Sequence, residues 1–158
     1  MKRSAQVIIT LAGLVLAFPA VLPADSQGAP FTGTWEMNAT KSQISDARST
    51  TLVIQQVGDK IKIAATTKKG DSSIATEFTC PTNGKECEFD EGGHKSKISL
   101  YFNGPALEIF KTDGPDTDSA SQWNMQVGPD GKSLTIAVSH ILPAGKDETL
   151  VFDKKAGE

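Results

Sequence analysis

Beyond residue 30 the chain alternates. Short runs of Val, Ile, Thr and aromatic residues are apolar at every second position, with Gly, Pro, Asn and Asp clusters between them. A period of two buries one face of a strand and leaves the other to water. The turn signals recur roughly every 8 to 12 residues, the spacing of an all-β sandwich or barrel. No stretch of helix length shows a 3.6-residue period; the segment 38–43, or the stretch near Asp46, has room for one helical turn.

Register tests this pattern, because residues directly opposite each other in a hairpin share a face. A two-residue turn at Gly58-Asp59 puts Gly first, as a type II′ turn requires. It pairs Ile54 with Ile63 and Leu52 with Ala65, while Lys60 and Lys62 point to water. Asn83-Gly84, a strong hairpin signal, predicts Cys80 opposite Cys87 and Phe78 opposite Phe89. Around Asn103-Gly104-Pro105, Pro105 has no N–H to donate. A four-residue loop is therefore expected, with Ile98 opposite Ile109 and Leu100 opposite Leu107. A turn at Gly128-Pro129-Asp130-Gly131 pairs Trp123 with Val138 and Met125 with Ile136, and a last strand brings Leu150 and Phe152 to one face.

Ten candidate strands in sequential hairpins, each with one apolar face, would leave that face wet in an open sheet. Closing the sheet buries the face and removes both edges. The expected fold is therefore an all-β, up-and-down antiparallel barrel of eight to ten strands, with a sandwich as the alternative that hairpin order also allows.

The first residues follow a different pattern. Met1-Lys2-Arg3 is a basic stub, an apolar run extends from Val7 to Phe18, Pro19 breaks it, and Ala24-Asp25-Ser26 offers small residues at a cleavage site. That is the layout of a secretory signal peptide over 1–26; the run is well short of the roughly 20 residues a spanning helix needs. Residues 27–158 then form a single domain in a secreted or periplasmic protein, expected to be a monomer with no membrane span. No Cys closely follows the apolar run, which disfavours a lipid anchor.

Charge narrows the partners. Removing Lys2, Arg3 and Asp25 with the signal leaves 14 basic and 18 acidic residues, a net charge of −4. Such a surface has no electrostatic reason to seek nucleic acid. Arg48 is the one arginine left, so the bidentate capture of carboxylate or phosphate that arginine favours is poorly supplied. Asn38-Ala39-Thr40 is a glycosylation sequon, of consequence only in a eukaryotic host.

Phe31-Thr32-Gly33-Thr34-Trp35 opens the first strand, and Asn38, Lys41 and Ser42 follow it. This opening, F-x-G-x-W-x-x-N-x-x-K-S, resembles small secreted bacterial lipocalin-like proteins of the calycin group. The resemblance covers about twelve residues and implies a barrel with Gly33 and Trp35 in structural roles, the Trp packing across one end. Two departures stand out. No arginine lies near the last strands to pack on the Trp, which leaves Lys154 or Lys155 for that place. The Arg-x-Tyr carboxylate clamp of fatty-acid-binding proteins is also missing from the last strand. The resemblance therefore implies a fold and not a retinoid or fatty-acid ligand.

The candidate chemistry is sparse. Cys80 and Cys87 lack redox spacing and read as a structural disulfide across a hairpin in an oxidising compartment. His94 in the acidic turn 90–94 and the carboxylates of 113–118 read as solvated loops; the latter lacks the calcium-loop pattern, and no metal site or cofactor is expected. There is no G-x-S-x-G, H-E-x-x-H or phosphate-cradling loop. A Ser121–His140–Glu148 set could be assembled only by choosing the register that makes it, so the protein is expected not to be an enzyme. His140 falls on the inward face opposite Ser121 and near Glu148, and histidine as a residue type titrates near neutrality.

Trp123, Phe78 and Phe89 line the predicted interior, which would be either packed shut or open to one small ligand. The expected function is binding of a small apolar or amphipathic molecule, oriented by His140 and Gln56. The alternative is a filled barrel acting on a partner or enzyme through outward residues such as Tyr101 and Phe110.

Overall fold

The structure, a computed structural model, describes residues 28–91, 93–114 and 119–157. The predicted signal peptide over 1–26 and the acidic turn residues 115–118 lie outside the described residues. A single 3₁₀ turn, Ala29–Phe31, leads into ten strands. These are β1 (Gly33–Met37), β2 (Ser49–Val57), β3 (Lys60–Lys69), β4 (Ser72–Pro81) and β5 (Cys87–Glu91), then β6 (His94–Asn103), β7 (Ala106–Asp113), β8 (Ser119–Val127), β9 (Ser133–Leu142) and β10 (Glu148–Lys154). They form one antiparallel sheet in the order β4-β3-β2-β1-β10-β9-β8-β7-β6-β5. The fold is all-β, a nearly closed up-and-down barrel, in agreement with the hydrophobic pattern.

The ring closes where β1 pairs with β10, Trp35 facing Lys154 and Met37 facing Phe152. Ile54 opposes Ile63 and Leu52 opposes Ala65 across the Gly58-Asp59 turn. Trp123 opposes Val138 and Met125 opposes Ile136, as the alternation predicts.

Two hairpins differ from expectation. At Gly104-Pro105 the turn has two residues and not four: Leu100 faces Ile109, Ile98 faces Lys111 and Asn103 faces Ala106. Gly104 supplies a positive φ of 58°. The residue that must donate across a two-residue turn is Ala106, so the missing N–H of Pro105 is never needed. The second difference is larger. Asn83-Gly84 does not join a hairpin ladder, because β4 and β5 are the two edges of the sheet. After Pro81 the chain turns to β6: Gly84 N donates to Leu100 O at 2.7 Å, and Asn83 bridges Tyr101. Closure therefore leaves two edges, contrary to the sequence expectation.

Side chains span this seam where the backbone does not. The Cys80–Cys87 disulfide links the edge strands, with α-carbons 5.9 Å apart. Phe78 and Phe89 meet at 5.3 Å between ring centroids. The disulfide is thus a seam staple and not a brace within a hairpin.

One end of the barrel is filled. Trp35 is fully buried and its Nε1 donates to Phe31 O at 2.8 Å, so the indole holds the 3₁₀ turn as a plug. Phe31 packs on Phe102 at 6.0 Å, and Ile54, Ile61, Leu107, Met125 and Leu134 complete the layer. Lys154 Nζ sits 5.0 Å from the Trp35 ring centroid, a cation–π contact in the place where an arginine was missing. Its stem explains Gly33: a Cβ there, at φ 141°, would lie 2.7 Å from Lys154 Cε.

The rest of the opening motif is a clasp. Asn38 Nδ2 and Lys41 Nζ both donate to Asp153, at 2.6 and 3.1 Å. Ser42 Oγ donates to Asn38 O at 2.8 Å and accepts from Val151 N at 2.9 Å. The residues after β1 are thereby bound to β10, and the sequon's Asn38 amide is occupied by a structural contact.

Candidate functional site

The strands that fill one end leave the other end hollow, and side-chain size is the reason. Toward the closed end the inward positions carry Trp, Phe, Leu, Met and Ile. Toward the far end the same faces carry Thr50, Ala65, Thr67, Thr76, Ala120 and Ser121. These small residues cannot meet across the barrel, and a cavity of about 710 Å³ results. That lies within the roughly 300–1,000 Å³ usual for small-molecule sites, so the interior is open and not filled.

The cavity has an apolar floor and a polar mouth. Phe78, Phe89, Trp123 and Phe152, with Ile63 and Ile136, form the floor. Trp123 Nε1 donates to Ser121 Oγ at 3.2 Å, so the one polar atom of this ring is satisfied. Thr50 and Thr67 share a hydroxyl–hydroxyl bond at 3.1 Å.

Two charged clusters flank the mouth. In the first, Arg48 Nη2 contacts Glu148 Oε2 at 2.5 Å, and Arg48 Nη1 pairs with Asp46, which also receives Lys69 Nζ at 2.8 Å. Glu148 is 8% exposed and also accepts from Ser45 N and Ser45 Oγ, at 3.0 and 2.7 Å. Arg48 and then Ser45 hold its pKa down at about 2, against the opposing effect of burial. Lys69 and Arg48 likewise lower Asp46. Burial lowers the Arg48 guanidinium's affinity for its proton, but its two carboxylate partners raise it by more.

In the second cluster Lys111, only 13% exposed along its side chain, reaches Asp113 Oδ1 at 3.2 Å and lies 5.8 Å from the Phe89 ring centroid. Asp113 also accepts from Ser96 Oγ and from Ser119 Oγ, the latter at 2.6 Å. Burial would raise its pKa, yet Ser119, Ser96 and Lys111 together bring it below the ordinary range. Asp113 is thus part of the cavity wall and not a solvated loop carboxylate.

Of the residues expected at the site, Trp123, Phe78 and Phe89 line the cavity. His140 also lines it, opposite Ser121, but it is exposed at the rim. The loop after β9 folds close over it: a Cβ at Gly145 would lie 3.2 Å from His140 Cβ. Glu148 faces Val138 and spends its oxygens on Arg48 and Ser45, so Ser121, His140 and Glu148 do not form a relay. Gln56 is not among the lining residues. It shares a face with Leu52 and Ile54 but sits further along β2, beside Gly28 at the filled end, and donates to Gly58 O at 3.1 Å.

The sequence reading overlooked Arg48, Lys111 and Asp113 as wall residues. The signal for Lys111 and Asp113 was their inward parity with Leu107 and Ile109. Arg48 follows a loop and has no parity to read. Among the described residues no group of three or more His, Cys, Asp or Glu could hold a metal ion, and no helix is long and apolar enough to cross a membrane.

No family model matches the sequence, and no curated protein gives a significant match. Solved structures do match. A secretory abundant heat soluble protein from Ramazzottius varieornatus superposes with a TM-score of 0.63 at 12% identity, over 80% of this chain and 96% of that one. Fatty-acid-binding protein 1 of Echinococcus granulosus gives 0.61 at 15% identity, over 80% and 98%. A Schistosoma mansoni fatty acid binding protein in complex with arachidonic acid gives 0.61 at 14% identity, over 83% and 100%. At these identities the likeness establishes the fold: this is a calycin-type β-barrel of the shape that fatty-acid-binding proteins have.

Proposed function

We propose that this protein is an exported, non-catalytic carrier or sensor that binds a small apolar or amphipathic molecule inside the barrel. The observation that carries the reading is the half-empty interior, about 710 Å³ with aromatic walls and a polar mouth. The apolar part of a ligand would be held by Trp123, Phe78 and Phe89, and its polar part would lie near the hydroxyls and charges of the rim. Two of the structurally similar proteins are fatty-acid-binding proteins, which supports the same use of the fold. The basic stub, short apolar run and cleavage site before residue 27 support export.

Titration with the neutral fluorescent probe N-phenyl-1-naphthylamine tests the reading. Saturable binding at one site is expected, and Trp123→Ala, which removes part of the apolar floor, is expected to weaken it. Absence of saturable binding overturns it. N-terminal sequencing of exported protein is expected to begin near Gln27.

A further inference from the structure

The fold leaves open what kind of head group the mouth accepts, and the two charged clusters bear on that. We propose that the cavity selects uncharged amphiphiles, with a hydroxyl, ester or amide head, over carboxylates of the same chain length. This rests on the cavity-binding reading above and deepens it.

The basic groups set into the wall are already neutralised from within the protein. Arg48 is held between Glu148 and Asp46, with its Nη2 at 2.5 Å from Glu148 Oε2. A ligand carboxylate that took the guanidinium would strand Glu148, which is buried and among the described residues otherwise bonds Ser45 alone. A buried carboxylate without its counter-ion is strongly unfavourable, so the exchange loses more than it gains. Lys111 offers no better landing point. Its ammonium is engaged by Asp113 at 3.2 Å and by the Phe89 face, and Asp113 would repel an incoming anion. The remaining basic side chains of the lining, Lys146 and His140, are exposed at the rim, where water and salt screen charge.

The hydroxyls have capacity to spare. A hydroxyl both donates and accepts. Ser121 Oγ accepts from Trp123 Nε1, and that bond does not use its own proton. Thr50 and Thr67 spend one donor and one acceptor on each other, and Thr76 lines the same wall. An alcohol, ester or amide finds partners here without disturbing an ion pair; a carboxylate would accept the same hydroxyl protons but bring an uncompensated charge into the cavity.

Displacement of N-phenyl-1-naphthylamine from the mature protein by 1-decanol and by decanoate, at neutral pH, reads the preference. Decanol is expected to displace the probe at least tenfold more tightly. Because any apolar site favours a neutral chain over a charged one, the deciding quantity is how this ratio changes in Glu148→Gln. That variant frees the guanidinium from its buried counter-charge. It is expected to tighten decanoate tenfold or more while decanol stays within about twofold. Asp113→Asn makes the same test on the opposite wall should Glu148→Gln fail to fold. Decanoate binding as tightly as decanol to the wild type, or an unchanged ratio in the folded variants, overturns the proposal. Failure of the neutral probe to bind at all instead overturns the cavity reading, and this inference falls with it.

Discussion

The two ends of this barrel are built from the same strands and the same alternation, yet one is a solid core and the other a void ringed by charge. At the closed end Trp35 reaches across the barrel, the 3₁₀ turn plugs it, and Lys154 lies on the indole face. At the mouth, inward Thr, Ala and Ser residues leave space, and Arg48 and Lys111 are each paired with a carboxylate. Binary patterning decides which face of a strand is buried. Side-chain volume decides whether the buried face meets anything. Close packing is therefore concentrated at one end, and the other is left hollow.

The sharpest way to break this contrast is to empty the closed end. Trp35→Ala removes a fully buried indole and its bond to the plug. It is expected to cost about 3–5 kcal/mol, lowering the melting temperature by roughly 10 °C or more. An unchanged melting curve would show that the filled end does not carry the fold.

At the mouth the largest effect is electrostatic. Arg48→Met leaves Glu148 buried without a counter-ion and should cost about 2–3 kcal/mol at neutral pH. Its sign with pH follows from Glu148, whose folded pKa of about 2 lies below the usual 4.5. Its stabilisation is complete above the ordinary carboxylate range and drains away as pH falls through 4.5 toward 2. The gap between wild type and Arg48→Met in urea melts is therefore expected to be widest above pH 5 and to close near pH 2. A gap independent of pH would assign the loss to packing alone.

The seam gives a smaller effect. Replacing Cys80 and Cys87 together by Ser should cost on the order of 2 kcal/mol, since the closed loop is short. The protein should still fold. Because β4 and β5 share no ladder, amide exchange should rise first along these two strands; uniform acceleration around the barrel would contradict an independent seam.

The finest test compares filling at the two ends. Leu107→Phe overpacks the closed end and should cost about 1–3 kcal/mol. Ala65→Leu projects into the cavity and should leave stability within about 0.5 kcal/mol while weakening the probe. Equal costs would mean that the two ends are packed alike.

Some of this was legible without coordinates. The β2–β3 and β8–β9 registers followed from alternation and turn type, and the cavity-lining aromatics Trp123, Phe78 and Phe89 from parity. The motif residues Gly33, Trp35, Asn38, Lys41 and Ser42 were recognisable as a group, though their work as a plug and clasp was not. Gln56 had the right parity but the wrong height along its strand. His140 had the right partner, but its place at the exposed rim depends on the loop that packs over it. Arg48 looked like evidence against an anion clamp; it stands in the mouth, occupied by the protein's own carboxylates.

The sequence alone determined what is local: strands from a period of two, turns from Gly, Asn and Pro, the inward face from register, and closure from the cost of a wet apolar face. The tertiary structure decided what depends on residues far apart in the chain. It set the seam between β4 and β5, because Asn83 and Gly84 found better partners on β6 than on the strand they follow. It set the void, because empty volume is a property of opposing walls and not of any one strand. It set the character of the mouth as well, because Arg48 and Glu148, a hundred residues apart, meet only once β10 closes against β1.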